Sequence, residues 1–456
     1  MSEDELRQLS PDEVVVQVRR LEVALAAALA RIAELEAELA RRSGPPKTPE
    51  NSSLPPSKGW KRKRPPAPGR KLGPPPGHPG HSRARVAPDE VRAYRPTHCR
   101  HCGEALPADR QHLLARRQVV ELPPVRSWVT EHRRYGAWCP RCHRRTKAAY
   151  PPGVDPTQVL GPRLAALTVY LHEHHHLGYA RLQGVYADLF GLALSQGAIG
   201  NILARASERL GPRVSAIREQ VRASPVIGSD ETSARVQGQN YWQWVFQTPE
   251  ATYLVIVPRR NTDAITDFQA GTAAETWVSD LWKPQLKAAA GRHQICLGHQ
   301  LRDLQYVIDK EQSAWARECQ EVFRRAIHRA HQRDQGALRG AAYAAAVQHI
   351  EATCDRLLAE PVPGAEASRL WVRFREQRAA LFVFLYDPRV PPTNNAAEQA
   401  LRNSVVHRKV CGSFRSEWGP AVHAAVTTVL DTARKQGLPI FETLAAALAP
   451  PTRAPA

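Results

Sequence analysis

The chain has 456 residues, with 63 Lys and Arg against 44 Asp and Glu, a formal net charge of +19 and an isoelectric point near 9.9. One small core does not need this length, so two or more folded units with linkers are expected, and the positive excess points to a polyanionic partner, most commonly nucleic acid. No basic leader precedes an apolar core and no run of about 18 apolar residues occurs, which argues against a membrane span and for a cytoplasmic protein. Four of the eight cysteines form two CxxC pairs and four are scattered, a pattern that suits metal binding better than a disulfide framework.

Ser10-Pro11-Asp12-Glu13 marks a helix start, with Ser10 as N-cap, proline in the first turn and Glu13 placed to close a capping box. Apolar or small residues then recur at Val14, Val18, Leu21, Leu25, Ala28, Ile32, Leu35 and Leu39, in alternating steps of four and three. Residues 1–42 are therefore expected to form a coiled-coil helix, too short to hold a dimer unaided. The alternative is an amphipathic helix packed on its own chain.

Residues 43–90 are rich in proline, glycine and cations, including Trp60-Lys61-Arg62-Lys63-Arg64 and Gly73-Pro74-Pro75-Pro76-Gly77. Such a stretch buries too little apolar surface to fold. Lys61, Arg62, Lys63 and Arg64 are candidates for phosphate contacts that read no sequence, against the alternative of a plain solvated linker.

Residues 91–150 carry Cys99-x-x-Cys102 and Cys139-x-x-Cys142, the second pair following a hairpin-like stretch with Val119, Val120, Trp128 and Val129. Four thiolates in tetrahedral geometry satisfy Zn²⁺ and leave no position for water, so a structural zinc is expected. His98, His101 and His143 stand beside the thiols.

From 151 to 223 the pattern is helical. Tyr179 to Phe190 has helical spacing, Gly191 breaks it, and Ser195 can cap a second helix containing Ile199 and Leu203, as in a helix-turn-helix or in any helical hairpin. In His172-Glu173-His174-His175-His176, His172 and His176 lie one turn apart; with no carboxylate partner placed by the sequence, a solvated or packed histidine face is the expectation.

At Pro225 the texture changes. Val226 to Asp230 reads as a short strand ending in acid, Tyr241 to Gln247 and Thr252 to Val257 as two further strands, and Asp263 to Ala270 as a helix. Thr276 to Asp280 is another strand ending in acid, and Gln294 to Leu297 a last one before the helical Gly298 to Ile308. The expectation is a multidomain α/β protein whose core spans 224–420, with acids at strand ends, where open sheets place their sites.

Two aspartates on neighbouring strands and a third acid from a helix would repel one another unless divalent cations neutralise them. Asp230 and Glu231 are adjacent and point to opposite faces, so only one serves such a site, and Asp230 is favoured. Asn395-Ala396-Ala397-Glu398 also fits a capping box, in which Glu398 would only bond the helix start.

The segments GSDETSARV (228–236), WVSDLW (277–282), CLGHQLRDL (296–304) and PPTNNAAEQALRNSVVHRKVCGSFRSEWG (391–419) together resemble the insertion-sequence-66 family of transposases. The resemblance implies a ribonuclease-H-like DDE core, with Asp230, Asp280 and Glu398 as catalytic ligands of Mg²⁺ or Mn²⁺, and a helical insertion at about 309–378. It implies a DNA transposase acting on terminal inverted repeats and target DNA, nucleoid-associated in a bacterium, working as a homodimer or higher oligomer with accessory proteins of the same element. Arg402, one turn after Glu398, and Arg408 and Lys409 beyond it become candidate DNA contacts, the alternative for Arg402 being a surface ion pair. C-terminal helices and a tail, 421–456, complete the chain. The family places Arg after the glutamate, where Gln399 stands, and Gly-Tyr after the second aspartate, where Leu281-Trp282 stand. Cys296 and His299 match a Cys-x-x-His pair of the family and are read as packing or positioning residues. Two other readings remain: an idle DNA-binding or regulatory descendant of a transposase, and a nuclease without joining activity.

Overall fold

The computed structural model describes residues 10–52, 54, 78–79, 83–151, 154 and 159–449; the basic run Lys61–Arg64 lies outside them. Helix α1 (Pro11–Ser43) begins as the sequence dictates: the Ser10 amide donates to Glu13 Oε2 at 2.8 Å and the Glu13 amide to Ser10 Oγ at 3.4 Å, a closed capping box. From Val14 to Leu35 its seam is uncovered among the described residues, Leu21 being 60% and Leu25 62% exposed. After α1 the chain returns to the main body, where Asn51 Nδ2 donates to Asp309 Oδ2 at 3.0 Å.

Around the second CxxC, β1 (Gly136–Trp138) pairs antiparallel with β2 (Arg145–Lys147). The hairpin expected over Val119 to Val129 is absent from the described residues. Val119 and Trp128 are 91% and 93% exposed, with no facing layer to bury them, and a lone hairpin without a packed face has little stability.

Helix α2 (Pro162–Val169) runs into a π-helical turn (Tyr170–His174), followed by α3 (Tyr179–Phe190) and the long α4 (Gln196–Arg222). Gly191 ends α3 in the left-handed region at φ 62°, and Ser195 Oγ accepts from the Ala198 amide at 3.1 Å to cap α4.

Five strands form the central sheet: β3 (Val226–Val236), β4 (Gln239–Gln247), β5 (Thr252–Val257), then after α5 (Asp263–Gln269) β6 (Ala274–Ser279) and β7 (Ala290–Ile295). Their order is β5-β4-β3-β6-β7, with β3, β4 and β5 antiparallel and β6 and β7 parallel to β3. Strand β3 runs six residues beyond Asp230. Its far half pairs with β4 across the two-residue turn Gln237-Gly238, both at positive φ (49° and 79°), as a hairpin with right-handed twist requires. Pairing of β3 with β6 stops at Gly228↔Val278, so Asp230 stands where the sheet opens.

Then follow α6 (Leu297–Glu311), α7 (Ala314–Asp334), α8 (Gly340–Ala359), α9 (Ala365–Glu376), the short α10 (Val383–Tyr386), α11 (Asn395–Cys411), α12 (Gly419–Lys435) and α13 (Ile440–Leu448). Alternation along the strands divides the core. Ile227 and Trp277 join the cluster built with α2–α5, α12 and α13, whereas Val226 and Val278 point to the cluster built with α6–α10. Helix α11 sets Ala397 and Leu401 against Val245 and Leu254. The free edge of β5 is covered by α12: Thr428 and Thr432 hydroxyls accept the Leu254 and Thr252 amides at 3.0 and 3.1 Å. No helix among the described residues is long and apolar enough to cross a membrane.

Candidate active site

Asp280 follows the last residue of β6 and stands two residues past the last pair, Gly228↔Val278, as Asp230 does on β3. Each carboxylate is oriented locally: Asp280 Oδ1 accepts the Trp282 amide at 3.0 Å, and Asp230 Oδ1 the Glu231 amide at 2.9 Å. The Asp230 carboxyl is pushed well above the usual carboxylate range, first by burial, then by the charges of Glu231, Asp280 and Glu398. Asp230 thus feels both Asp280, from the end of β6, and Glu398, from α11, although the three carboxylates are not gathered within 4.8 Å of one another among the described residues.

Glu398 does not act as a helix cap. The N-cap is Asn394, no side chain bonds the helix start, and Glu398 Oε1 is buried without a hydrogen-bond partner. Its neighbour is His299 Nδ1, 3.8 Å away, which also lacks a hydrogen-bond partner. Burial holds the His299 ring below its ordinary range, against the pull of Glu398 and Asp280. Cys296 accepts the Asn394 amide at 3.1 Å, and Cys296, His299 and Glu398 bring donor atoms within 4.8 Å of one another.

The turn before α11 is fastened to the sheet. Asn394, 2% exposed, donates from Nδ2 to the Ser229 carbonyl at 2.8 Å, and the Leu297 amide donates to the Pro392 carbonyl at 3.0 Å. A Cβ on Gly228 nearby would meet the terminal amide nitrogen of Gln247, which would have to shift.

Glu231 is occupied elsewhere. Its Oε1 pairs with Arg260 at 2.7 Å and its Oε2 accepts from Gln285 at 2.8 Å. The Arg260 guanidinium lies over Trp242 and Trp282, 4.6 and 4.1 Å from their ring centres. Trp282 thus braces the cation that pairs with Glu231.

Arg402 and Lys409 are exposed on α11, and no ion pair of Arg402 is formed among the described residues. Arg408 donates to the Ser233 hydroxyl at 2.7 Å and to its carbonyl, which ties part of its guanidinium to β3.

The two CxxC pairs have the same local geometry. Gly103 and His143 adopt positive φ (77° and 54°) and donate their amides to the Cys99 and Cys139 carbonyls at 3.0 and 2.9 Å. The Cys102 and His101 amides lower the Cys99 thiol, and the Cys142 and Arg141 amides the Cys139 thiol, favouring the thiolates a metal needs. The four sulfurs are not gathered into one ligand group. The exposed chain between the pairs offers no core that would bring them together.

Residues 157–421 match the transposase IS66 family, and residues 96–143 match the zinc-finger binding domain of transposase IS66. The chain belongs to the IS66 transposase family. In this IS66 transposase the larger match spans all three acids and also α2–α4, in keeping with the core those helices share with the sheet. Family membership makes DNA its partner and zinc a component of its N-terminal part. No curated protein matches the chain.

Proposed function

We propose that this transposase cleaves the ends of a mobile element and joins the freed 3′-hydroxyls to target DNA, with Asp230, Asp280 and Glu398 holding divalent cations. The carrying observation is the placement of Asp230 on β3 and Asp280 at the end of the neighbouring β6, with Glu398 on α11 near enough for its charge, like those of Glu231 and Asp280, to add to the burial that raises the Asp230 carboxyl. Hard oxygen donors of this kind suit Mg²⁺ or Mn²⁺. When bound, a pair of such ions supplies activation of the attacking oxygen and charge neutralisation at the leaving oxygen of an in-line displacement.

The chain's own residues hold the arrangement. Asn394 fixes α11 to β3, the Trp282 amide orients Asp280, and His299 borders Glu398 at 3.8 Å. A sheet of three antiparallel strands followed by two parallel ones, with acids on its central strands, supports the ribonuclease-H-like reading. Helices α6–α10, inserted between the second and third acids, close one face of that sheet.

The remaining parts serve DNA handling in this reading. Cys99, Cys102, Cys139 and Cys142 hold a structural zinc that joins the two knuckles. The bare seam of α1 pairs protomers, so that two element ends are held together. Lys61, Arg62, Lys63, Arg64, Arg402, Arg408 and Lys409 contact phosphates, Arg408 with the donors left free by Ser233. Accessory proteins of the same element complete the assembly.

The test incubates purified protein with labelled element-end and target DNA in Mg²⁺. Cleaved and joined products, both lost with Asp280→Asn, are expected. Cleavage without joining would indicate a nuclease, and binding without cleavage an idle DNA-binding protein.

A further inference from the structure

Behind α11, away from the three acids, a second cluster is buried. Glu173 comes from the π-helical turn, His407 from α11 and His423 from α12, with 4%, 5% and 0% exposure and donor atoms within 4.8 Å of one another. His423 Nδ1 lies 2.7 Å from Glu173 Oε2, and its Nε2 lies 2.9 Å from Ser404 Oγ. His172 adds a fourth ring: Nδ1 is 2.8 Å from the Leu177 carbonyl and must donate to it. In the neutral ring Nε2 is then an open lone pair, 3.8 Å from Glu173 Oε1.

A self-contained polar network would satisfy each of these atoms. His407 Nδ1 is buried and has no hydrogen-bond partner, and neither has His176 Nδ1 beside it. No Lys or Arg pairs with Glu173 among the described residues, so the buried carboxylate faces imidazoles alone. Such an anion needs a cation within reach. The backbone is specialised here too: the π-helical turn carries His172 and Glu173, and His176, just past its cap His175, stands at φ 59°, a costly conformation for a residue other than glycine.

We propose that Glu173, His407 and His423, with His172 adjacent, bind a divalent transition metal such as Zn²⁺. Imidazole and carboxylate donors match that class, whereas the all-oxygen set at Asp230 suits a harder ion. The Leu177 carbonyl on His172 and Ser404 on His423 are the outer partners that fix ligand rings at such centres. The metal clamps the π-helical turn to α11 and α12, and so steadies the helix whose first turn carries Glu398. This inference does not depend on the reading of the three acids.

Zinc content of the full chain, purified without chelator, tests it, together with X-ray absorption at the zinc edge. The expected result is zinc beyond what the cysteines hold, with nitrogen or oxygen scatterers as well as sulfur. Cys99→Ser/Cys139→Ser protein should keep the nitrogen- and oxygen-bound zinc and, loaded with Co²⁺, show ligand-field absorption without the thiolate charge-transfer band; adding His407→Gln and His423→Gln should remove it. A sulfur-only shell in the wild type, or loss of all metal with the cysteine changes, overturns the proposal. The wild-type spectrum decides even if the histidine variants fail to fold.

Discussion

Asn394 donates its side-chain N–H to the carbonyl of Ser229 at 2.8 Å, which bonds the turn leading into the Glu398 helix to the residue just before Asp230. Two acids separated by most of the core sequence are thereby held by one buried amide. Asn394→Ala should lower stability by about 1–3 kcal/mol, the range for stranding a buried polar partner. DNA cleavage should fall further than that loss explains, while DNA binding holds. Denaturant unfolding alongside single-turnover cleavage checks this; cleavage at the wild-type rate in the folded variant would show that the staple does not position the site.

Ionisation of Asp230 opposes folding when no cation is bound. Its carboxyl is raised in the folded protein, so the native state keeps its proton to higher pH than the unfolded chain does. The stability this confers is present below the ordinary carboxylate range and is lost as pH rises through the folded value. Metal-free wild type should therefore melt at lower temperature near neutral pH than Asp230→Asn, and Mg²⁺ should raise the wild-type midpoint more than the variant's. Calorimetry with and without Mg²⁺ measures the difference. Equal midpoints would remove the case for a strained acid cluster.

Glu231 should behave as a structural acid although it adjoins Asp230. Arg260→Ala leaves its buried carboxylate without its cation, and a loss of about 2 kcal/mol is expected, below the ~3–5 of a fully buried pair because Arg260 is partly exposed. Glu231→Gln that still folds should retain cleavage, in contrast to Asp230→Asn. A folded Glu231→Gln protein with no activity would reverse the assignment of the two acids.

A methyl group on Gly228 would displace the side-chain amide of Gln247, whose Oε1 accepts from Lys435 at 2.7 Å and resists the shift. Gly228→Ala should cost about 1–3 kcal/mol by overpacking. Urea unfolding tests it; an unchanged midpoint would mean that Gln247 swings aside freely.

Much of this architecture could be read from local chemistry. Ser10, Gly191 and Ser195 marked helix ends because capping needs only neighbours in sequence. Strands β4 and β5 and helix α5 were visible for the same reason. Strand β3 was read too short, since beyond Asp230 only Ala234 and Val236 are buried and the pattern is mostly polar. In the cysteine region the apolar residues Val119 to Val129 suggested a hairpin, but they have nothing to pack on. Glu398 is ambiguous in the sequence between cap and ligand, because a capping box with Glu398 needs Asn395 as the N-cap, and the N-cap is Asn394. From spacing alone the histidine-rich turn has the pattern of a plain packed or solvated face. Regular helical spacing does not describe a π-helical turn, and its partners His407 and His423 lie more than 200 residues onward in the chain.

The most direct measurement is mobility in cells of a marked element bearing its native ends, with neighbouring frames supplied, for wild type and for Asp230→Asn, Asp280→Asn and Glu398→Gln. Movement by wild type, and its loss in each variant at unchanged protein level, is the predicted result. Normal movement by any one of the three variants would contradict the three-carboxylate site.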